Sequence, residues 1–182
     1  MRLPGWLAPL ITRKGEMLPL DRAASRISAF AYGNILVLSV VIAVGPSAID
    51  NGNAALLVLG TTISTYLAHI FAGWLSHVVR HVSAADGGSD ADAIRVEVRD
   101  AVPILSSGTL PAIFLALGAF DILGPAVAQL CAGGVIVLRL GVIGLVIERL
   151  GSHKASWRTV AAGIAVAVLA AAVTIVKVVL TH

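Results

Sequence analysis

Charge is scarce in this chain of 182 residues: 13% are Asp, Glu, Lys or Arg, while 58% are hydrophobic. Soluble domains carry about 25% and about 45–50% of these classes, so a single water-soluble globule is excluded by the apolar surface it would leave uncovered. Cysteine occurs once, as Cys131 inside an apolar run. That rules out a disulfide framework and a thiolate metal cluster. Aromatic residues make up 5%, and the basic residues sit at the ends of apolar runs rather than in a stripe interleaved with aromatics. Nucleic acid is therefore not an expected partner despite the net charge of +3. A Ser-His-Asp arrangement, a Gly-rich phosphate loop and paired intramembrane carboxylates are all missing. An enzyme is accordingly disfavoured and no cofactor is expected.

What is present is a succession of apolar runs long enough to cross a bilayer, whose hydrocarbon core takes about 20 helical residues per crossing. Between Arg26 and Asp50 no residue is charged. The pattern predicts an all-α polytopic membrane bundle of about five transmembrane helices, at about 27–49, 54–79, 101–120, 125–147 and 159–177. Together they form a single transmembrane domain over 27–180, preceded by a cytoplasmic tail over 1–26. Leu3 to Ile11 is apolar and follows Arg2, but Pro4, Gly5 and Pro9 interrupt it and no small-x-small cleavage site is evident. The tail is read as interfacial or mobile, with Trp6 as a headgroup anchor. Residues 80–100 read as a polar cytoplasmic loop, because Ser83 to Asp90 has a linker composition, with a brief amphipathic helix over Ala91 to Arg99. Asp50 to Asn53 and Asp121 to Gly124 are short turns, in which Asp50 and Asp121 are expected to cap helix ends.

Orientation follows from the basic residues, which gather on the cytoplasmic side of membrane proteins. Of thirteen Lys and Arg, eleven fall in three segments on one side: five from Arg2 to Arg26, three from Arg80 to Arg99, and Arg149, Lys154 and Arg158. The N-terminus is expected inside and the C-terminus outside.

Polar residues inside apolar runs are the candidate functional groups, because ionisable side chains in hydrocarbon are costly. On the second span Thr62, Tyr66, His69, Gly73, Ser76 and Arg80 share one side at helical spacing. They form either interhelical glue or a proton or solute path. Arg139 either snorkels toward headgroups or faces inward to bind an anionic group or a helix carbonyl. Pro111 removes the donor for the Ser107 carbonyl, so the third span should kink, with hydroxyls serving the freed groups, or break to hold a solute. Counted from the expected cytoplasmic ends at about 1.5 Å per residue, Asn34, His69, Ser107 and Arg139 lie about 9–15 Å deep. They are expected to converge, with Tyr66, in one polar layer that serves as a solute path if the protein transports. His77 and His81 have the i, i+4 spacing of metal ligands. With no Glu after His77 and no Cys nearby, they are weak candidates, and no metal is expected. Gly133, Gly134, Gly141 and Gly144, with Ala162, Ala165 and Ala172 on the last span, read as close-packing surfaces.

At Ala31-Tyr32-Gly33-Asn34-Ile35-Leu36 and Tyr66-Leu67-Ala68-His69-Ile70-Phe71-Ala72 the chain resembles a family of uncharacterised actinobacterial integral membrane proteins. Similar Tyr-Gly and Leu-Ala-His patterns stand in that family's first two helices. The resemblance implies a bacterial plasma-membrane (inner-membrane) setting and a multi-pass architecture, but no activity. A fainter similarity, Arg26-Ile27-x-Ala29-Phe30 with Trp74-Leu75-x-His77, is to bacterial and lysosomal potassium channels built on six-helix units. The Phe-Ser-Asp of those channels is replaced here by Phe30-Ala31-Tyr32, so their functional motif is not present.

Two functions follow from this reading. The first is an accessory or structural subunit of a membrane complex, or a homo-oligomer, with the lipid bilayer and a protein or a second copy as partners. The alternative is a small channel or permease working through the polar layer around His69 and Arg139.

Overall fold

A computed structural model describes residues 8–13, 16–83, 90–143 and 165. The chain is mostly helical. A four-residue turn of helix, α1 (Ala8–Ile11), leads into a two-stranded antiparallel hairpin of β1 (Thr12–Arg13) and β2 (Glu16–Met17). Four longer elements and one short one follow: α2 (Leu20–Ala43), α3 (Pro46–Asp50), α4 (Asn53–Ser83), α5 (Asp90–Ala119) and α6 (Pro125–Gly141). Three of them, α2, α4 and α5, are long and apolar enough to cross a membrane.

Helix ends and apolar-run ends do not coincide, and the differences have physical causes. The chain becomes helical at Leu20 rather than at residue 27, because Asp21, Arg22 and Arg26 are compatible with a helix even where they are incompatible with hydrocarbon. Polarity marks the membrane boundary, not the helix boundary. Gly45-Pro46 stops α2 at Ala43, since Pro46 has no N–H to continue the ladder and instead opens α3 at its first position. The expected loop over 80–100 is corrected more severely: α4 continues to Ser83 and α5 begins at Asp90. The brief helix expected at 91–99 is thus the first part of α5. The last expected span lies outside the described residues except Ala165, which is helical and exposed.

The two turns at the opposite end rest on local chemistry. Asn51 Oδ1 accepts the Asn53 amide at 3.0 Å, and Gly52 takes φ +78°. Asp121 takes φ +58°, a left-handed conformation that Asp tolerates better than most residues. Neither Asp50 nor Asp121 caps a helix: Asp50 closes α3 and Asp121 makes the α5–α6 turn. The expectation of carboxylate caps fails because Asn51 and the glycines do the local work.

Helix α5 is the centre of the bundle, packed against α2, α4 and α6. Three glycines permit this. A Cβ on Gly33 of α2 would stand 2.9 Å from Ser107 Oγ, one on Gly108 of α5 would collide with the Thr62 side chain of α4, and one on Gly118 would meet Ile49 at 2.6 Å. Ile49 of α3 is completely buried there and closes the turn end of the bundle. The apolar core lies beneath it, where Val37 and Val41 of α2, Val58 of α4, Leu115 of α5, and Ala132 and Ile136 of α6 are all within 1% of full burial. Among the described residues Gly134 and Gly141 have no neighbour within 4 Å of an added Cβ, and Gly133 has Val41 at 3.9 Å. Among the described residues close approach is set by Gly33, Gly73, Gly108 and Gly118, while the last span that the α6 glycines are expected to face lies outside the described residues. Residues Gly144, Ala162 and Ala172 of that expectation lie outside the described residues.

At the other end, Leu10 and Ile11 are buried in a small cluster with Ala23 and Phe30, against Leu18, Ile27 and Ile143. Leu10 and Ile11 of the expected tail are thus docked on the bundle. Trp6 lies outside the described residues.

Candidate functional site

Two clusters of polar groups hold the helices together, and both involve residues that interrupt apolar runs. At the charged end, Asp100 of α5 is 3% exposed and receives two guanidinium groups from α2. Arg22 Nε lies 2.7 Å from its Oδ2, and Arg26 Nε donates to Oδ1 at 2.9 Å. One carboxylate thus sits between two guanidinium groups. Next to it, Arg99 is exposed and Arg95 pairs loosely with Asp92 at 3.5 Å.

Deeper in the bundle, Arg139 near the end of α6 points inward and is 7% exposed. Its Nη1 donates to the Ser106 carbonyl at 2.5 Å and its Nη2 to Ser106 Oγ at 2.8 Å, while the guanidinium carbon stands 4.9 Å from the Phe30 ring centroid. A planar guanidinium suits both tasks, donating in its plane and offering a face to the ring. Ser106 is one residue from Ser107, whose carbonyl Pro111 deprives of its usual amide donor. Helix α5 nevertheless runs unbroken through Pro103 and Pro111. The expected hydroxyl assistance is present but serves other carbonyls: Ser106 Oγ donates to Pro103, Ser107 Oγ to Ile104 and Thr109 Oγ1 to Leu105.

Asn34 is completely buried beside this cluster and donates through Nδ2 to the Phe30 carbonyl at 2.7 Å. Among the described residues its Oδ1 has no hydrogen-bond partner. Since Gly33 abuts Ser107, the structure brings Asn34, Ser107 and Arg139 into one neighbourhood on α2, α5 and α6. His69 does not join them. Helix α4 meets α5 through Thr62 at Gly108 and through Gly73 at Glu97, so His69 falls between those contacts, nearer the charged end than Ser107. There it is half-buried and makes no hydrogen bond to a described residue. Thr62, 3% exposed and bonded to the Val58 carbonyl at 2.7 Å, occupies the place on α4 assigned to His69. Tyr66 is half-buried against Ala29, Ala101 and Ile104.

Residue Gln129, a single amide inside the fourth apolar run, makes a long-range contact. Its Nε2 donates to the Val41 carbonyl at 2.7 Å and to Val44 at 3.2 Å. The Val41 carbonyl is among the last of α2, which a helix leaves without intrahelical donors, and Val44 follows the helix end. A single amide inside an apolar run, facing a proline-terminated helix across a tight turn, was the available signal. His77 is half-buried and the His81 side chain lies outside the described residues. Among the described residues no group of three His, Cys, Asp or Glu is placed to hold a metal ion.

These features define a helical bundle with three helices fit to cross a membrane, in which polar side chains join one helix to the next. The chain matches no protein-family model, no curated protein and no solved structure.

Proposed function

We propose that the chain is a non-catalytic membrane subunit, which assembles with a second copy of itself or with another membrane protein. In this reading it crosses a bacterial plasma membrane five times, with its N-terminus in the cytoplasm. The bacterial setting rests on the Tyr-Gly and Leu-Ala-His resemblance, and the orientation on the distribution of Lys and Arg. The observation that carries the assembly reading is the outward face of α4. Only 28% of its spanning window is buried, against 44% for α2 and 50% for α5. Gly60, Ser64, Ala68, Ala72 and Ser76, each four residues from the last, are all exposed on it. Between helices in lipid there is no hydrophobic drive, so such small-residue faces are what lets backbones approach and gain packing.

The test is native mass spectrometry of protein extracted in mild detergent, with Ser64→Leu as the variant. A dimer or a stoichiometric heteromer that Ser64→Leu dissociates supports the reading; a monomer that retains no protein sinks it.

A channel or permease is the second reading, supported by the buried Asn34 Oδ1, which has no hydrogen-bond partner among the described residues. An unpaired buried acceptor beside Ser107 and Arg139 is a natural place for water or a solute. Liposomes holding the protein alone should then pass ions or protons, and Asn34→Leu should stop them.

A further inference from the structure

One face of α5 carries Arg99, Val102, Pro103, Ser106, Thr109 and Leu110, at i, i+3, i+4, i+7, i+10 and i+11, and two cavities lie along it end to end. The first, of about 300 Å³, is walled by Arg26 and Phe30 of α2 and by Leu10, and begins at Arg99. The second, of about 510 Å³, continues between α5 and α6, walled by Leu110, Val135 and Leu138 with Arg139 at its base. Ser106 lines both. The deeper cavity faces outward: Leu110 is 46% exposed and Leu138 66%, so across a bilayer its open side meets acyl chains.

Charge along this groove is one-sided. Asp100, the carboxylate at its mouth, is already met by both Arg22 and Arg26. Arg99 is exposed and makes no ion pair with a described residue. The charged residues that line the groove are Arg26 and Arg99 where it opens and Arg139 at its base, and the groove turns apolar within two helical turns. A free phosphate would use only the mouth, and a hydrocarbon only the inner part.

We propose that this groove binds one anionic phospholipid, with its phosphate between Arg99 and Arg26 and one acyl chain along Leu110, Val135 and Leu138. The geometry matches the amphiphile at each level. Guanidinium groups offer forked donors to phosphate oxygens, the Ser106 hydroxyl region falls at the depth of the glycerol esters, and the apolar walls take the chain. The proposal needs the bundle to span a membrane but is independent of which side the charged end faces and of whether the protein assembles.

Native mass spectrometry of the full chain, titrated with phosphatidylglycerol or phosphatidylcholine of equal chain length, tests it. One phosphatidylglycerol should be retained per chain in preference to phosphatidylcholine. Arg99→Gln should lower that preference about fivefold, the scale of one basic residue at an anionic headgroup, whereas Arg95→Gln, on a side chain outside the groove, should leave it unchanged. Leu138→Trp should weaken retention by obstructing the chain without altering the charge. Soluble glycerol phosphate, the same headgroup without chains, should not compete. Equal retention of the two lipids, an Arg99→Gln variant indistinguishable from wild type, or competition by glycerol phosphate at lipid concentrations would each overturn the proposal. Arg99 is exposed and outside the Asp100 ion pairs, so this variant keeps the fold, which circular dichroism checks.

Discussion

Arg139 and His69 are both ionisable groups inside apolar runs, yet the structure gives them unequal work. Arg139 makes two hydrogen bonds to Ser106 and covers Phe30, while His69 makes none to the described residues. Replacing Arg139 with Met removes two partly buried hydrogen bonds to Ser106 and the contact with Phe30, and should cost about 1–3 kcal/mol. His69→Ala should cost less, within about 0.5 kcal/mol. Thermal unfolding in detergent micelles, followed by circular dichroism, ranks the two; a larger loss for His69 would show that it has a partner the register does not give it. Gln129→Leu should fall between them, at about 1 kcal/mol, because it leaves the Val41 and Val44 carbonyls without their donor. The sequence made Arg139 legible as a buried or snorkelling cation and included inward pairing with a helix carbonyl among its roles. That the carbonyl is Ser106, in the middle of α5, could not be read, because a proline shows which carbonyl is freed on its own helix and not which neighbour arrives.

At the scale of the elements, apolar runs located α2, α4, α5 and α6 but misjudged how far they extend. Charged residues suggest helix ends, whereas Arg22, Arg26 and Asp100 lie within helices and pair with each other across the bundle. Depth counted from those ends then put His69 at the level of Arg139. Register is set instead by where backbones touch, at Gly33 with Ser107 and Gly108 with Thr62. Those contacts give a clear experiment. Gly108→Val forces its side chain into Thr62 and should destabilise by about 1–3 kcal/mol through overpacking. Gly134→Ala, with nothing within 4 Å of its new Cβ, should be neutral or slightly stabilising because Ala favours helix. Equal losses from both would mean that glycine acts here through chain entropy and not through contact. The last span, with which the small residues of α6 are expected to pack, lies outside the described residues; composition alone does not say which side of a helix meets a neighbour.

For the whole molecule, the structure arranges charge at two ends in a way that the linear sequence only implied. Arg22 and Arg26 of α2 meet Asp100 beside Arg99 at one end, and the opposite end, from Val44 to Asn53 and from Phe120 to Gly124, has no Lys or Arg. Because α2 and α5 both start at the charged end and α4 and α6 both run toward it, every described helix agrees on which end is basic. Short basic segments are retained in the cytoplasm during insertion, so the charged end should face inward and the N-terminus with it. Reporter fusions at Gly88 and Ser152 should then read cytoplasmic, and a fusion at Gly52 external. A fusion after His182 decides the count, since a fifth crossing over 159–177 puts it outside and four crossings leave it inside. A cytoplasmic reading there, with the other three as expected, would remove the fifth span while leaving the four-helix arrangement of α2, α4, α5 and α6 intact. An external reading at Gly88 would be more damaging, because it would place Arg95, Arg99 and the Asp100 cluster on the outer face against the charge rule.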